Sequence, residues 1–219
     1  LGVSLHEPPE GWALANPQHA KGAMAALLSG GGAALSGAEA AQATWIADMP
    51  AGDTVKLSCD MMWQSDLGPN HLHFAPKRVT IGVGCARNCP PQELADLVHT
   101  ALNEAGVCDA AVHSINTISL KADEPAMLEL AQQLNVPLRL FSAEELEAEA
   151  PRLATPSEVV FAEVGCHGVS EGAALAQLGS EGVLWLQKRK TANATVALGL
   201  ADMPLSDLRG AARGRLSVV

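Results

Sequence analysis

Apolar and polar positions alternate in two rhythms along the second part of this chain. The run Arg78 to Cys85, RVTIGVGC, is β-branched and ends in a Gly-x-Gly turn, which predicts a strand. It leads into PPQELADLVHTALNEAG, where Leu94, Leu97, Val98, Ala101, Leu102 and Ala105 recur at helical spacing and Gly106 closes the end. AVHSINTISL predicts the next strand, and Asp123, Glu124 and Pro125 open a helix with Met127, Leu130, Ala131 and Leu134 on one stripe. PLRLF is a strand, and Ser142 with Glu145 has capping-box spacing before the acidic helix AEELEAEA. EVVFAEVG and GVLWLQK, read as strands, flank a last helix SEGAALAQLG, and ATVALGLA offers a final strand. Strands alternating with helices across short loops predict an α/β layered domain.

The first seventy or so residues have a different texture. KGAMAALLSGGGAALSGAEAAQA is rich in Ala and Gly, with a short helical pattern at Met24, Leu27 and Leu28 that Gly30, Gly31 and Gly32 stop. TVKLSCDMMW reads as one strand and QSDLGPNH as a turn, so a small module with few strong elements is expected here.

Composition narrows the function classes. With 219 residues and 48% apolar content the chain can bury a proper core. A net charge of -10 argues against generic affinity for nucleic acid or anionic membranes. An anionic ligand must therefore be met by local basic residues. Five cysteines without a CxxC pair fit neither a disulfide framework nor a zinc ribbon, and reduced cytoplasmic thiols are the expectation. No apolar run reaches bilayer-spanning length, and no signal-peptide pattern opens the chain.

In α/β sheets ligands gather beyond the carboxyl ends of strands, which singles out four segments. Gly82 to Arg87 offers glycines before a helix N-terminus, with Arg87 as a forked donor to carboxylates; a plain strand-to-helix turn explains the glycines equally well. It lacks the third glycine of the dinucleotide fingerprint and the Gly-Lys-Ser/Thr ending of a P-loop, so neither NAD nor ATP is indicated. Cys85 reads as a packed small residue, because no histidine is placed to activate it. In SLKADE, Lys121 and Glu124 form either a proton-transfer pair or a substrate clamp, although Glu124 also complements a helix dipole. In VGCHGVSEGAAL, Gly165 and Gly168 free the backbone, Ser170 can cap the helix, and Glu171 projects from its start. His167, with no partner at metal-ligand spacing, reads as a hydrogen-bonded loop histidine. Lys188, Arg189 and Lys190 concentrate positive charge in an acidic chain. His71 and His73 alternate on one face, and without a third ligand they read as structural.

Taken in order, VTIGVGCARNCPPQELADLVHTALNEAG, SINTISLKADEPAMLELAQQLNVPLRLFSAEEL, SEVVFAEVGCHGVSEGAALAQLG and GVLWLQKRKTANATVALG resemble the C-terminal domain of the cobalamin-biosynthesis family of CbiG and its stand-alone relative CobE. The resemblance implies a three-layer α/β/α domain with a mixed sheet over residues 76–202, preceded by a smaller α/β module over 1–75 that looks like the CbiG central region. Residues 203–219 would be a linker, since GRLSVV resembles the first strand of tetrapyrrole methyltransferases and suggests fusion to a precorrin-3B C17-methyltransferase. The implied activity is opening of the ring-A lactone of cobalt-precorrin-5A with loss of acetaldehyde. The implied partner is an anionic precorrin or cobalt-precorrin, with no cofactor, metal, nucleic acid or membrane. Carried onto this sequence, Glu171, Glu124 and Lys121 are the catalytic candidates. Gly82, Gly84, Cys85, Arg87, Gly165, Ser170, Lys188, Lys190 and Thr195 are the substrate-binding ones, with oxyanion donors expected among the N–H groups of Gly82 to Gly84. Departures from the family pattern are ARN, where a second basic residue is common, and Ser170, where alanine is usual. A GGHGGGAN-like N-terminal motif of full CbiG is not among these residues, which keeps open a CobE-like binding or carrier module that catalyses nothing.

Overall fold

The chain folds into two units, residues 1–77 with 106–111 and residues 78–105 with 112–219. The computed structural model describes residues 4–205 and the backbone of Ser217–Val218. In the first unit, β1 (Trp12–Leu14), α1 (Ala20–Leu28), β2 (Ala33–Ser36), β3 (Val55–Cys59) and β4 (His71–Pro76) build a mixed sheet in the order β1-β4-β3-β2. The strands β2, β3 and β4 run parallel, and β1 is antiparallel to β4. Ala23 and Leu27 of α1 join Leu57, Leu72 and Phe74 of the sheet in one buried cluster, and Trp45 meets Phe74 edge-on at 4.9 Å. Gly30, at φ 92°, takes the left-handed position that ends α1. The sheet exceeds the few elements expected from the sequence. β1 and β2 are three and four residues long and carry little β-propensity of their own, so pairing with β4 and β3 makes them strands.

The second unit contains β5 (Val79–Cys85), α2 (Pro91–Ala105), β6 (Val112–Ile118), α3 (Pro125–Gln133), β7 (Leu138–Phe141), α4 (Ala143–Glu147), α5 (Glu158–Val164), α6 (Val169–Leu178), β8 (Val183–Lys190), β9 (Ala194–Leu200) and β10 (Ser217–Val218). The sheet order is β10-β7-β6-β5-β9-β8. β5, β6 and β7 are parallel, whereas β8, β9 and β10 join antiparallel, so the sheet is mixed. β5 alternates sides with a period of two. Thr80 donates to the carbonyl of Ala174 in α6 at 2.9 Å, and a Cβ on Gly82 would sit 1.8 Å from the carbonyl oxygen of Ser170. Val79, Ile81 and Val83, on the other side, are fully buried. α2 and α3 pack against each other, α2 against β8 and β9 and α3 against β6 and β7, which completes the three layers. The expected capping box is present, with Glu145 N–H donating to Ser142 Oγ at 3.1 Å and Ser142 N–H donating to Glu145 at 2.7 Å.

One predicted strand is a helix. EVVFAEVG forms α5, started by Ser157, whose hydroxyl accepts from Val160 N–H, and ended by Gly165 at φ 80°. The β-branched valines suggest a strand, but no residue of α5 is buried and no sheet edge receives it, so capping decides the local structure. The segment expected to link toward a methyltransferase lies outside the described residues over 206–216.

Candidate anion-binding cleft

A cleft of about 650 Å³ opens beyond the carboxyl ends of β5 and β6. Gly84 and Cys85 of β5 and Ile118 of β6 line its floor, the first turn of α6 and one face of α5 line one side, and β8 with the β8–β9 turn lines the other. Arg87, Lys121, Lys188 and Lys190 all reach it, a concentration of positive charge in a chain of net charge -10.

Each cation is placed by the fold. Lys188 and Lys190 sit two residues apart on β8 and so share a face, while Arg189 between them turns away to pair with Glu104 of α2. Lys188 Nζ also donates to the carbonyl of Thr155 at 3.2 Å. Arg87 is held by Asp123 at 2.8 Å and by the carbonyl of Leu120 at 2.7 Å. That hydrogen bond draws the Asp123 carboxyl below its ordinary value. Lys121 lies 3.8 Å from Glu124, whose carboxylate is also 3.6 Å from Arg87.

The predicted site residues separate into two groups. Gly84, Cys85, Arg87, Lys121, Ser170, Glu171, Lys188, Lys190 and Thr195 line the cleft; Gly82, Glu124 and Gly165 do not. Gly82 is glycine because α6 packs directly on it, and it is paired on both sides, with Asn116 of β6 and Ala197 of β9. Its backbone therefore serves the sheet, and the expectation of oxyanion donors here is corrected. Gly165 is the left-handed C-terminal residue of α5. Glu124 is 1% exposed and sits behind Lys121, with Oε1 making no hydrogen bond among the described residues.

Glu171 faces the cleft but its carboxylate is occupied. It accepts from the N–H groups of Ala154 and Thr155 at 2.9 Å each, from Thr155 Oγ1 at 3.1 Å, and from Lys188 N–H at 2.9 Å. It is 1% exposed. Four donors to two oxygens leave it poorly placed to take a proton from water, and it instead ties the 154–155 loop and β8 to the start of α6.

Cys85 is a protonated thiol at neutral pH, because burial pushes it up to about 12. His167 stacks on Phe161 at 4.5 Å and pairs with Glu147 at 2.8 Å, which raises its pKa. It is the hydrogen-bonded histidine expected, fixing the base of α5. In the first unit Ser58 Oγ lies 2.9 Å from both His71 Nε2 and His73 Nδ1, and Asn16 bonds the backbone of both histidines. The pair is tied into a buried polar cluster in which His73 Nε2 makes no hydrogen bond, and the described residues hold no cluster of three metal-ligating side chains.

Sequence reasoning missed two supports of the cleft. Glu93 of α2 accepts from Asn193 N–H and Nδ2 at 2.9 Å each and from the Thr191 hydroxyl, pinning the β8–β9 turn, while Ala86 N–H donates to the carbonyl of Asn193 at 2.8 Å. These partners are about a hundred residues apart, beyond any local signal. Glu163 of α5 also lines the cleft, and only reading α5 as a helix brings it there.

Comparison with known proteins bears on this geometry. Residues 79–199 match the family model described as Cobalamin synthesis G C-terminus. Protein CobE from Sinorhizobium sp is 48% identical over 120 residues, 55% of this chain and 78% of that protein. A cobalt-precorrin-5A hydrolase from Priestia megaterium is 33% identical over 131 residues, 60% of this chain and 34% of the hydrolase. This chain thus spans about a third of the hydrolase's length. A crystal structure of CobE, described as a protein from the cobalamin (vitamin B12) biosynthetic pathway, superposes with a TM-score of 0.55 at 34% identity, covering 58% of this chain and 93% of that one.

Proposed function

We propose, from the premise that this chain belongs to the Cobalamin synthesis G C-terminus family, that it acts in cobalamin biosynthesis on cobalt-precorrin-5A, opening the ring-A lactone with loss of acetaldehyde. The observation that carries this reading is the convergence of Arg87, Lys121, Lys188 and Lys190 on one cleft of an acidic protein. A macrocycle bearing several carboxylates needs such a surface. Its apolar faces suit the other wall, where Val160 and Val164 of α5 look into the cleft.

Hydrolysis adds water across the lactone ester to give a carboxylate and an alcohol, which requires donors for the developing oxyanion. Acetaldehyde leaves as the alcohol gives up its proton and its carbon–carbon bond to the macrocycle breaks, the electron pair and a proton staying with the ring. Both steps require a group to move a proton. We assign the proton-handling role to the Lys121–Glu124 pair, of which Lys121 reaches the ligand. Glu171 is a positioning residue that holds Lys188 and the 154–155 loop in place. The reading is a cytoplasmic one, in keeping with five free thiols among the described residues. A corrin-pathway methyltransferase is the partner it proposes downstream of residue 203.

The test is anaerobic incubation of the chain with cobalt-precorrin-5A, following acetaldehyde and the absorption spectrum together. Acetaldehyde above the protein-free control, lost in Lys121→Ala while the bound spectrum persists, supports the reading. A shifted spectrum with no acetaldehyde assigns the chain binding without turnover, and no spectral change removes the ligand class.

A further inference from the structure

β8 lies at the edge of the sheet beside β9, and the ladder between them breaks register between Leu184 and Leu186 and again between Leu186 and Arg189. Leu186 faces Leu198 and Arg189 faces Val196, so three steps of β8 run against two of β9. That offset places Lys190 beside Thr195, which in turn pairs with Gly84, and the three share the face that lines the cleft. A slip of one residue would put Arg189 beside Thr195 and turn Lys188 and Lys190 to the other side. An edge strand with an interrupted ladder holds its phase weakly by itself. Two carboxylates of α2 hold it from outside. Glu93 accepts from the Thr191 hydroxyl and from Asn193 N–H and Nδ2, which fixes the turn that follows Lys190. Glu104 takes the Arg189 guanidinium through both oxygens, away from the cleft. The two glutamates stand about three turns apart along one side of α2.

We infer that Glu93 and Glu104 are positioning residues that set the phase of β8, and so decide that two lysines, and not Arg189, are offered to the ligand. The inference rests on the reading of the cleft as a tetrapyrrole site and adds what fixes its charged wall. In phase, Lys188 and Lys190 present two compact ammonium charges that can meet separate acids of one ligand. The slipped strand would present Gln187 and a single guanidinium. Neither glutamate lines the cleft, so their effect on a ligand passes through β8 and its turn.

Binding of cobyrinic acid to the full chain, followed by spectroscopic titration, tests this. Glu93→Ala with Glu104→Ala is expected to raise the dissociation constant about tenfold. The decisive reading is a cycle with Lys188→Ala and Lys190→Ala. The lysine substitutions, worth about thirtyfold in the wild-type chain, are expected to cost less than about threefold once both glutamates are gone. Glu93→Gln alone keeps an acceptor for the Thr191 hydroxyl and Asn193 N–H and gains a donor for a turned Asn193 amide, and it is expected to bind like the wild type. Effects that multiply in the cycle would overturn the positioning role while leaving the tetrapyrrole reading intact. So would an affinity that stays level when the glutamates are removed, or one that rises, as distant repelling charges would give. Failure of the wild type to bind would overturn both.

Discussion

The two units both bury polar side chains, and they do so to opposite ends. In the first unit Ser58, His71, His73 and Asn16 bond one another within the sheet, and burial lowers the pKa of both histidines, keeping the rings neutral. In the second unit the polar groups near the start of α6 divide between holding the fold and lining the cleft. Glu171 is saturated by four donors, whereas Arg87, Lys121, Lys188 and Lys190 line a cleft. The lesson is that residue type marks candidates and their place in the fold sorts them. A histidine pair tied to Ser58 and Asn16 of its own sheet is architecture, and lysines that line a cleft of an acidic chain are the proposed binding groups.

The largest effect expected from disturbing this contrast is on Glu171. Glu171→Gln presents an amide NH2 to N–H donors and leaves part of the cluster unpaired in the interior, with an expected loss of about 3–5 kcal/mol. Thermal unfolding should show a drop of roughly 10 °C. A variant that melts like the wild type would mean that the four-donor cluster does not hold the 154–155 loop and β8 together. Next comes ligand binding. Lys188→Ala with Lys190→Ala is expected to weaken cobyrinic acid roughly thirtyfold by spectroscopic titration, and to reduce the salt dependence of what remains.

A smaller effect, of the opposite kind, belongs to the first unit. His73→Leu is expected to cost about 1–2 kcal/mol in urea unfolding, because Ser58 loses a partner, while corrinoid affinity stays unchanged. A changed affinity would erase the distinction between the two units. The least effect concerns the C-terminal end of α5. The raised pKa of His167 means its pairing with Glu147 stabilises fully below the ordinary histidine value and fades as pH climbs through the folded one. Glu147 is lowered, so its share is present above the ordinary carboxylate value and is lost as pH falls through the folded one. Amide exchange over residues 158–167, corrected for intrinsic rates, should therefore be slowest in mildly acidic solution and faster above the folded His167 pKa. A flat corrected profile would remove the pair as the clamp.

Much of the second unit was legible in its pattern. Leu94, Leu97, Val98, Ala101 and Leu102 lie along one face of α2 and are buried, and β5, β6 and β7 fall where the apolar runs stand. α5 was misread because Val159, Val160 and Phe161 favour strands locally, although Ser157 and Gly165 carried the helix signals. The cleft was legible as a set of loops and not as a set of roles. Gly82 and Gly84 look alike in sequence, yet one meets the backbone of α6 and the other lines the cleft. Nor can a sequence announce that Glu171 is saturated, since its donors come from residues 154, 155 and 188 and meet only in the folded sheet.

Amide hydrogen exchange of the full chain with and without cobyrinic acid tests the central claim most directly. Slowed exchange confined to residues 84–87, 160–171 and 188–195, with residues 55–59 and 71–76 unaffected, is the predicted result. Protection centred on the histidine knot of the first unit, or none anywhere, would contradict it.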